Sequence, residues 1–234
     1  MDTGGNNPSR VPEDVKERLK ASYDAIAPKY NEWTIKHSAR RLEYLERVLK
    51  FEPVSDPSRQ ARFLELGCGA GLPVTQKLLS YPTVHVTAND ISTTQIELAR
   101  DNLLGPTEGN AANVERLTLI EGDMAKLSFP DMSFNVVFAF YSLIHLPRAE
   151  QTEMIRKIAQ WLKPGGYLLA NFAEDATEAV IKEKWLDEKD WMFWSGWGRD
   201  ATLDIVKEAG LHVVVSEVTK DVVDAPFLWV IAKR

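Results

Sequence analysis

A glycine-rich segment follows a short apolar run near residue 65. Residues 65–71 read Glu-Leu-Gly-Cys-Gly-Ala-Gly and stand between a run at 61–66 that is typical of a buried strand and a helical pattern at 72–79. Glycines at a turn from strand to helix let the backbone turn tightly and let a ligand approach the main chain. The segment therefore predicts a ligand site, and a plain tight turn is the alternative.

Two aspartates end the next two predicted strands. Asp90 ends the second strand, where a carboxylate can accept hydrogen bonds from both hydroxyls of a ribose. Asp123 ends the third strand, where it could accept a hydrogen bond from an exocyclic amine while the N–H of Met124 adds a donor. The alternatives are an exposed turn aspartate at 90 and a helix-capping aspartate at 123. The pair favours a nucleoside ligand.

The residues around the glycines also bear on the charge of that ligand. A dinucleotide fingerprint needs a third glycine where this chain has Leu72. Glu65 would repel a pyrophosphate but would attract an amino group. The sequence therefore predicts a ligand with a ribose and a cationic tail, and it disfavours an NAD-type oxidoreductase.

Strand and helix patterns alternate from residue 61 onward. Strands are predicted at 61–66, 84–90, 117–123, 134–141, 167–172, 211–218 and 227–234, and helices at 13–30, 37–50, 72–79, 93–103, 150–162 and 202–209. This alternation predicts an α/β fold with a doubly wound, mostly parallel sheet. Only the short stretch 221–226 separates the last two strands, so they should pair antiparallel, with no helix between them.

The same patterns predict three regions. Residues 1–11 are expected to be a disordered leader, 12–60 an N-terminal helical cap that ends in a linker at 51–60, and 61–234 the core. Within the core, about 174–200 is expected to form an aromatic lid over a substrate.

Composition excludes several functional classes. The net charge of -6 disfavours a nucleic-acid partner, which needs a basic face. The single cysteine excludes an intrachain disulfide framework, and the four histidines show no zinc-site spacing, so no metal is expected. No apolar stretch reaches the roughly 20 residues of a spanning helix, and no signal core is present at the N-terminus. These observations predict a cytoplasmic protein with no membrane partner.

Four motifs together resemble one known family. ELGCGAG, VTANDIS, EGDMAKLSF and LKPGGYLLANF occur in the order and spacing of the class I S-adenosylmethionine-dependent methyltransferases, of the small-molecule type. The resemblance implies a Rossmann-like sheet of seven strands with the last strand inserted antiparallel, and S-adenosyl-L-methionine as cofactor. YDAIAPKYNEW, at 23–33, also resembles the N-terminal cap of small-molecule members.

The resemblance further assigns roles to residues. Glu65, Gly67 and Gly69 would lie against the methionine moiety, and Phe140 and Tyr141 would flank the sulfonium. Asp90 would bind the ribose. Ile91 would pack on the adenine, and Asp123 and Met124 would form hydrogen bonds with the adenine edge. Tyr23, Tyr30, Cys68 and Gln95 complete the predicted cofactor-binding set. Packing within the first helix is the alternative for the two cap tyrosines, and for Trp33 as a substrate contact. Cys68 is not expected to act as a nucleophile, because no basic partner is evident.

His145 is the candidate catalytic residue. It follows the fourth strand, above the carboxyl edge of the sheet where ligands bind in open α/β folds. Histidine titrates near neutral pH, so it could take a proton from the methyl acceptor or contact that acceptor. The alternative is that His145 braces its loop by a hydrogen bond to the backbone.

Four of the chain's seven tryptophans fall between 185 and 197. Aromatic side chains there could form the walls of an acceptor pocket, with Trp191, Trp194, Tyr141 and Trp33 as substrate contacts. A helix packed on the core, or a dimer contact, is the alternative. Glu174 and Asp175 are candidates for facing a cationic acceptor.

The sequence therefore predicts an enzyme that transfers a methyl group from S-adenosylmethionine to an O, N or S atom of a small molecule. A secondary metabolite or a quinone-like compound is the expected acceptor class, by analogy alone. A protein or nucleic-acid methyltransferase and a cofactor-binding, non-catalytic homologue remain alternatives. Monomer and homodimer are both open.

Overall fold

The computed structural model describes residues 10–51, 59–107, 109–220 and 226–234. The α-helices are α1 (Val15–Thr34), α2 (Ser38–Leu49), α3 (Val74–Leu79), α4 (Thr93–Leu104), α5 (Arg148–Trp161) and α6 (Arg199–Glu208). The strands are β1 (Ala61–Leu66), β2 (Val84–Asp90), β3 (Leu117–Glu121), β4 (Phe134–Ala139), β5 (Leu162–Ala173), β6 (Ala176–Glu183), β7 (Trp191–Trp197), β8 (His212–Lys220) and β9 (Pro226–Lys233).

Seven strands form one sheet in the order β3-β2-β1-β4-β5-β9-β8. The first five are parallel, and β9 inserts antiparallel between β5 and β8. The predicted doubly wound fold and the antiparallel last strand are confirmed. The predicted absence of a helix between β8 and β9 concerns residues 221–225, which lie outside the described part of the chain.

The sheet is buried on both faces. Neighbouring residues of β1 separate into two cores, with Phe63 in one and Leu64 in the other, because successive side chains of a strand point to opposite faces. Phe138 joins the first core and Val137 the second. Apolar residues on both faces of β1 and β4 therefore fix these strands at the centre of the sheet.

A separate two-stranded antiparallel hairpin, β6–β7, lies in the region expected to form an aromatic lid, where the sequence predicts no strand. The tryptophan-rich stretch at 185–197 forms a loop and the strand β7, which excludes the alternative of a helix packed on the core. Met192 and Phe193 of β7 are fully buried, in an apolar cluster that includes Val15 and Leu19 of α1. The hairpin is therefore stabilised mainly by packing under α1, a long-range contact that local propensity does not encode.

The N-terminal part of the chain differs from its predicted bounds. Helix α1 continues through Pro28 to Thr34, beyond the predicted end near residue 30. Pro28 is exposed, so water can bond the carbonyl that its missing N–H leaves free. Val11, within the predicted leader, packs against the α1–β7 core. Residues 1–9 of that leader and 52–58 of the predicted linker lie outside the described residues.

One aromatic stack joins α2 to the sheet. The ring of Tyr44 lies parallel to Trp229 of β9, with a centroid distance of 4.2 Å. Tyr44 also donates a hydrogen bond to Glu217 of β8 at 2.9 Å, and Arg47 binds that carboxylate through both terminal nitrogens. Both aromatic side chains are buried, so this contact holds the cap on the core. Within the described residues, no helix has the length and apolar character needed to cross a membrane.

We expect Trp229→Ala to lower the free energy of unfolding by about 3–5 kcal/mol, because it removes a large buried ring and leaves a cavity beside Tyr44. Urea denaturation followed by circular dichroism measures the change. Val214→Ala, at an exposed position of β8, should stay within about 0.5 kcal/mol of the parent. Equal stability of the two variants would contradict the assigned role of the stack.

Candidate functional site

A narrow crevice opens at the carboxyl edge of β1, β2, β3 and β4. It has a volume of about 80 Å³. Its walls contain Tyr23, Tyr30, Gly67, Gly69, Asp90, Ile91, Gln95, Asp123, Met124, Phe140 and Tyr141, together with Lys16, Leu19, Ser142, His145 and Leu146. Eleven of the thirteen predicted cofactor-binding residues therefore line one space, because the ends of parallel strands meet at one edge.

The glycine turn forms the floor of this crevice. A Cβ at Gly67 would overlap the Cβ of Ser142, so only glycine allows the turn to approach the loop after β4. Gly69 adopts a φ of +55° and faces open space, with Gln95 as its nearest neighbour. The turn is thus packed closely against Ser142 at Gly67 and leaves room for a ligand at Gly69.

Asp90 anchors that turn from the end of β2. Its Oδ2 accepts a hydrogen bond from the N–H of Gly69 at 2.9 Å, and its Oδ1 accepts one from the N–H of Ser92 at 2.9 Å. Burial raises the pKa of Asp90, and the two backbone donors oppose that shift. The Ser92 hydroxyl accepts from the N–H of Gln95, which confirms the predicted N-cap of α4.

Asp123 caps the short 3₁₀ helix Met124–Lys126 by accepting from the N–H of Ala125 at 2.9 Å. Its other oxygen accepts from Lys16 of α1 at 2.7 Å, and Lys16 also pairs with Glu150. The capping alternative for Asp123 is thus realised, although the carboxylate still lines the crevice. A ligand that hydrogen-bonds Asp123 Oδ2 must compete with Lys16.

Glu65 and Cys68 stand apart from the crevice wall. Glu65 is buried beneath the glycine turn, accepts a hydrogen bond from Thr75 and lines neither cavity. Burial raises its pKa to about 7, although Thr75 and the guanidinium of Arg41 act in the opposite direction. Cys68 lines the adjoining larger cavity, and burial raises the pKa of its thiol, as expected for an unreactive cysteine.

Several buried polar atoms around this site lack a hydrogen-bond partner among the described residues. They include both side-chain amide atoms of Gln95, the hydroxyl of Ser142 and Nε of Arg41. Buried polar groups are normally hydrogen-bonded, and each unsatisfied one costs about 1–3 kcal/mol. All three side chains line the crevice or the larger cavity, so a polar ligand could complete them.

His145 is bonded at both ring nitrogens. Nδ1 lies 2.7 Å from the carbonyl oxygen of Phe193 in β7, and Nε2 lies 2.8 Å from the hydroxyl of Tyr23 in α1. A carbonyl can only accept, so Nδ1 carries the proton and Nε2 accepts from Tyr23. Burial lowers the pKa of His145 to about 4. This geometry favours the bracing alternative, and proton acceptance from a substrate stays a prediction.

A larger cavity of about 460 Å³, here called the aromatic chamber, adjoins the crevice and shares Gly67, Gly69, Tyr141 and His145 with it. An almost continuous series of ring contacts surrounds the chamber, formed by Tyr141, His37, Trp33, Trp185, Trp194, His145, Tyr23 and Tyr30. Glu174 and Asp175 also line it. The predicted substrate contacts Trp33, Tyr141, His145 and Trp194 are therefore brought together.

Trp191 is the exception, and its assignment as a substrate contact is corrected. Its ring is buried beneath the guanidinium of Arg18, 4.0 Å from the centroid, and it lines neither cavity. The reason is strand alternation, since Trp191 and Phe193 share the face of β7 that packs under α1, whereas Trp194 points the other way. The β6–β7 loop instead supplies Trp185.

Sequence reasoning missed several residues that shape the site. Asp190 is buried and accepts from the N–H groups of Trp185 and Leu186, which fixes the loop that carries Trp185. Asn171 accepts from the N–H of Tyr141 at 2.6 Å and holds that residue at a φ of +54°. The Asp and Asn side chains are turn-forming types, but nothing local identifies which backbone groups they reach.

Comparison with known proteins supports one family. Residues 63–166 match the family model described as a methyltransferase domain. This match and the relatives below support a class I S-adenosylmethionine-dependent methyltransferase, with S-adenosylmethionine as cofactor. The sheet order of this chain is the one that the resemblance implied.

Two curated relatives cover part of the chain. The 27-O-demethylrifamycin SV methyltransferase of Amycolatopsis mediterranei is 37% identical over 108 residues, which are 46% of this chain and 36% of the relative. The sterol 24-C-methyltransferase ERG6B of Gibberella zeae is 30% identical over 128 residues, which are 55% of this chain and 30% of the relative. The matches therefore span about a third of each relative.

A solved structure matches the fold over nearly the whole chain. The magnesium protoporphyrin IX methyltransferase of Synechocystis, crystallised with bound S-adenosylmethionine, superposes with a TM-score of 0.66 at 16% identity. The match covers 97% of this chain and 100% of the other. It includes the N-terminal helices as well as the sheet.

We expect His145 to stay neutral between pH 5 and 8, with its proton on Nδ1, because burial disfavours the charged ring. NMR of ¹⁵N-labelled protein reports the tautomer directly. Tyr23→Phe, which removes the donor at Nε2, should shift only the Nε2 resonance. A ring that takes up a second proton between pH 6 and 7 would refute the assignment.

Proposed function

We propose that this chain binds S-adenosylmethionine in the crevice and transfers its methyl group to a small molecule in the aromatic chamber. The observation that carries the proposal is a set of buried polar atoms around the turn that Asp90 anchors. The side-chain amide of Gln95, the hydroxyl of Ser142 and Nε of Arg41 have no hydrogen-bond partner among the described residues. When bound, the cofactor supplies an electrophilic methyl group on a positively charged sulfur. The chain's own task is to bind and orient the two partners and exclude water.

The crevice residues suit the nucleoside half of the cofactor. Asp90 would accept hydrogen bonds from the ribose hydroxyls with the lone pairs that Gly69 and Ser92 leave free. Gln95 has unused donors and acceptors, and Ile91 offers an apolar surface for the adenine. Asp123 and the N–H of Met124 would read the adenine edge once Lys16 moves aside.

Arg41 suits the methionine half, and Glu65, which lines neither cavity, would act on it from beneath the glycine turn. A buried carboxylate with a pKa of about 7 is best stabilised by a cation, and the α-amino group of the cofactor is one. Arg41 lies in the larger cavity near the glycine turn, where its unpaired Nε could bind the α-carboxylate. The amino group and the carboxylate of one cofactor molecule would then interact with both residues.

Helix α1 must move for the cofactor to enter. The crevice holds only about 80 Å³ because Lys16, Leu19 and Tyr23 of α1 close over it. The contacts that hold the helix over the crevice include the Lys16–Asp123 ion pair and the Tyr23–His145 hydrogen bond, beside the apolar packing of α1 on β7. Helix α1 therefore serves as the cover that excludes water during methyl transfer.

The aromatic chamber suits an apolar or flat acceptor. Its volume of about 460 Å³ lies within the range of small-molecule sites, and aromatic side chains form most of its wall. The relatives named for a rifamycin derivative and for a sterol support a small-molecule acceptor, although this chain spans only about a third of them. Since His145 is neutral and bonded at both nitrogens, it would mainly orient Tyr23 and Trp194.

Isothermal titration calorimetry with S-adenosylhomocysteine, S-adenosylmethionine and NAD⁺ tests the proposal. We expect the first two to bind and the dinucleotide not to bind. Heat from NAD⁺ alone would overturn the proposal. Labelled methyl transfer to a panel of phenols, amines and thiols then tests turnover, which distinguishes an enzyme from a cofactor-binding homologue.

Asp90→Ala should weaken S-adenosylhomocysteine binding by about 10- to 100-fold, because a hydrogen bond to a charged acceptor contributes about 1.5–3 kcal/mol. Calorimetry measures the dissociation constant. Asp101→Ala, on the exposed face of α4, is the matched control and should bind like the parent. Unchanged affinity in Asp90→Ala would remove the ribose assignment.

Binding should also weaken as the pH falls below about 7. Burial raises the pKa of Glu65 to about 7, and a bound ammonium group favours the ionised carboxylate and lowers that pKa. Affinity is thus greatest above pH 7 and falls by up to about tenfold per pH unit below it, with a proton released on binding. Titration calorimetry in buffers of different ionisation enthalpy counts that proton.

The matched variant is Glu65→Gln, which cannot ionise. It should bind more weakly at pH 7.5, and its affinity should vary less between pH 5.5 and 7.5 than that of the parent. If the two pH profiles are parallel, Glu65 does not contact the amino group.

A further inference from the structure

Two exposed apolar side chains line the aromatic chamber. The exposed fraction is 40% for Leu72 and 45% for Val180, and both belong to the chamber wall. Isolated exposed apolar residues are ordinary on protein surfaces. Two of them on separate elements of one cavity wall indicate an apolar route between the cavity and the outside.

Val180 continues the aromatic wall outward along the hairpin. It pairs with Trp194 across β6 and β7, and side chains of directly paired residues lie on the same face of a sheet. Trp194 in turn contacts Trp185 and His145, deeper in the chamber. The hairpin therefore presents a continuous apolar strip from the inner wall to Val180.

Leu72 extends the route on the side of the core. It follows the glycine turn directly, before α3 begins at Val74. This is the position where a dinucleotide fingerprint would have its third glycine, and nothing in the cofactor assignment requires a leucine there. Pro226 and Phe227 of β9 add further apolar surface to the same chamber.

Charge does not select the acceptor. The charged side chains of the chamber wall are two bases, Arg41 and Lys182, and two acids, Glu174 and Asp175. Because acids and bases are mixed in this wall, burial of apolar surface is the main available source of affinity. The aromatic rings offer flat surface for a ring head, and Leu72 and Val180 offer apolar surface for a chain.

From this arrangement we infer that the acceptor is an amphipathic molecule, with a flat ring head held among Trp33, Trp185 and Trp194 and a long apolar chain that leaves between Leu72 and Val180. The inference rests on the proposed function, since it names the substrate class of the same site. The ring head carries the atom to be methylated, and the chain supplies affinity and sets the orientation of the head.

A series of 4-hydroxybenzoate esters, from methyl to decyl, tests this inference in the presence of saturating S-adenosylhomocysteine. Calorimetry gives each dissociation constant, and quenching of tryptophan fluorescence gives an independent value. We expect affinity to rise about two- to four-fold per methylene while the chain lies in the route, and then to level off. Equal affinity along the series would overturn the inference.

Val180→Glu places a charge on the route and should abolish most of the gain with chain length. Val214→Glu is the matched control, because Val214 is equally exposed on β8 and lines neither cavity, and it should keep the parent's dependence. Circular dichroism reports whether each variant is folded. Val180→Thr, a milder change of similar shape, should reduce the gain in part if the glutamate variant does not fold.

Different results would contradict the proposed function and the amphipathic acceptor. If S-adenosylhomocysteine does not bind, the proposed function is wrong. If it binds and chain length has no effect, or if Val180→Glu and Val214→Glu alter that effect equally, only the amphipathic acceptor is wrong.

Discussion

The close approach of the glycine turn to the loop after β4 is the constraint on which the site depends. Gly67 lies so near Ser142 that no side chain fits between them. This contact brings the ends of two neighbouring central strands together and aligns the crevice with the aromatic chamber. The ends of β2 and β3 then add Asp90 and Asp123 to the same edge. The close approach of Gly67 to Ser142 thus determines where the crevice and the aromatic chamber open.

The cap combines two kinds of contact. The sheet is fixed by apolar packing on both faces, whereas α1 adds polar contacts at the crevice to its apolar packing on β7. Asp24 accepts from the Ser92 hydroxyl and the N–H of Thr94, and Lys16 bridges Asp123 and Glu150. Water can replace such contacts at little cost, because partly exposed ion pairs contribute about 1 kcal/mol or less. The polar contacts at the crevice are therefore the weaker of the two kinds that hold α1.

The core could be predicted from the sequence because its signals are local. Apolar runs at 61–66 and 134–141, the glycine turn and the N-cap Ser92 each specify their own element, and the parallel topology then brings Asp90 and Asp123 together. The crevice follows from that topology. The predicted cofactor-binding roles within it remain predictions.

The hairpin and its contacts could not be predicted in the same way. The tryptophan-rich segment has no clear period, and it becomes a strand because Trp191 and Phe193 are buried under α1, some 170 residues earlier in the chain. The same long-range packing decides that Trp191 faces inward and Trp185 faces the chamber. The bonds of His145 to Tyr23 and Phe193 likewise join three elements distant in sequence.

The insertion of β9 between β5 and β8 has a consequence for biosynthesis. Most of the sheet emerges from the ribosome before this strand, yet β5 and β8 have no partner between them until β9 arrives. Its Trp229 is also the surface on which Tyr44 of α2 stacks. A nascent chain halted before β9 would thus carry an open sheet edge and an undocked cap, and it would be a natural client for chaperones.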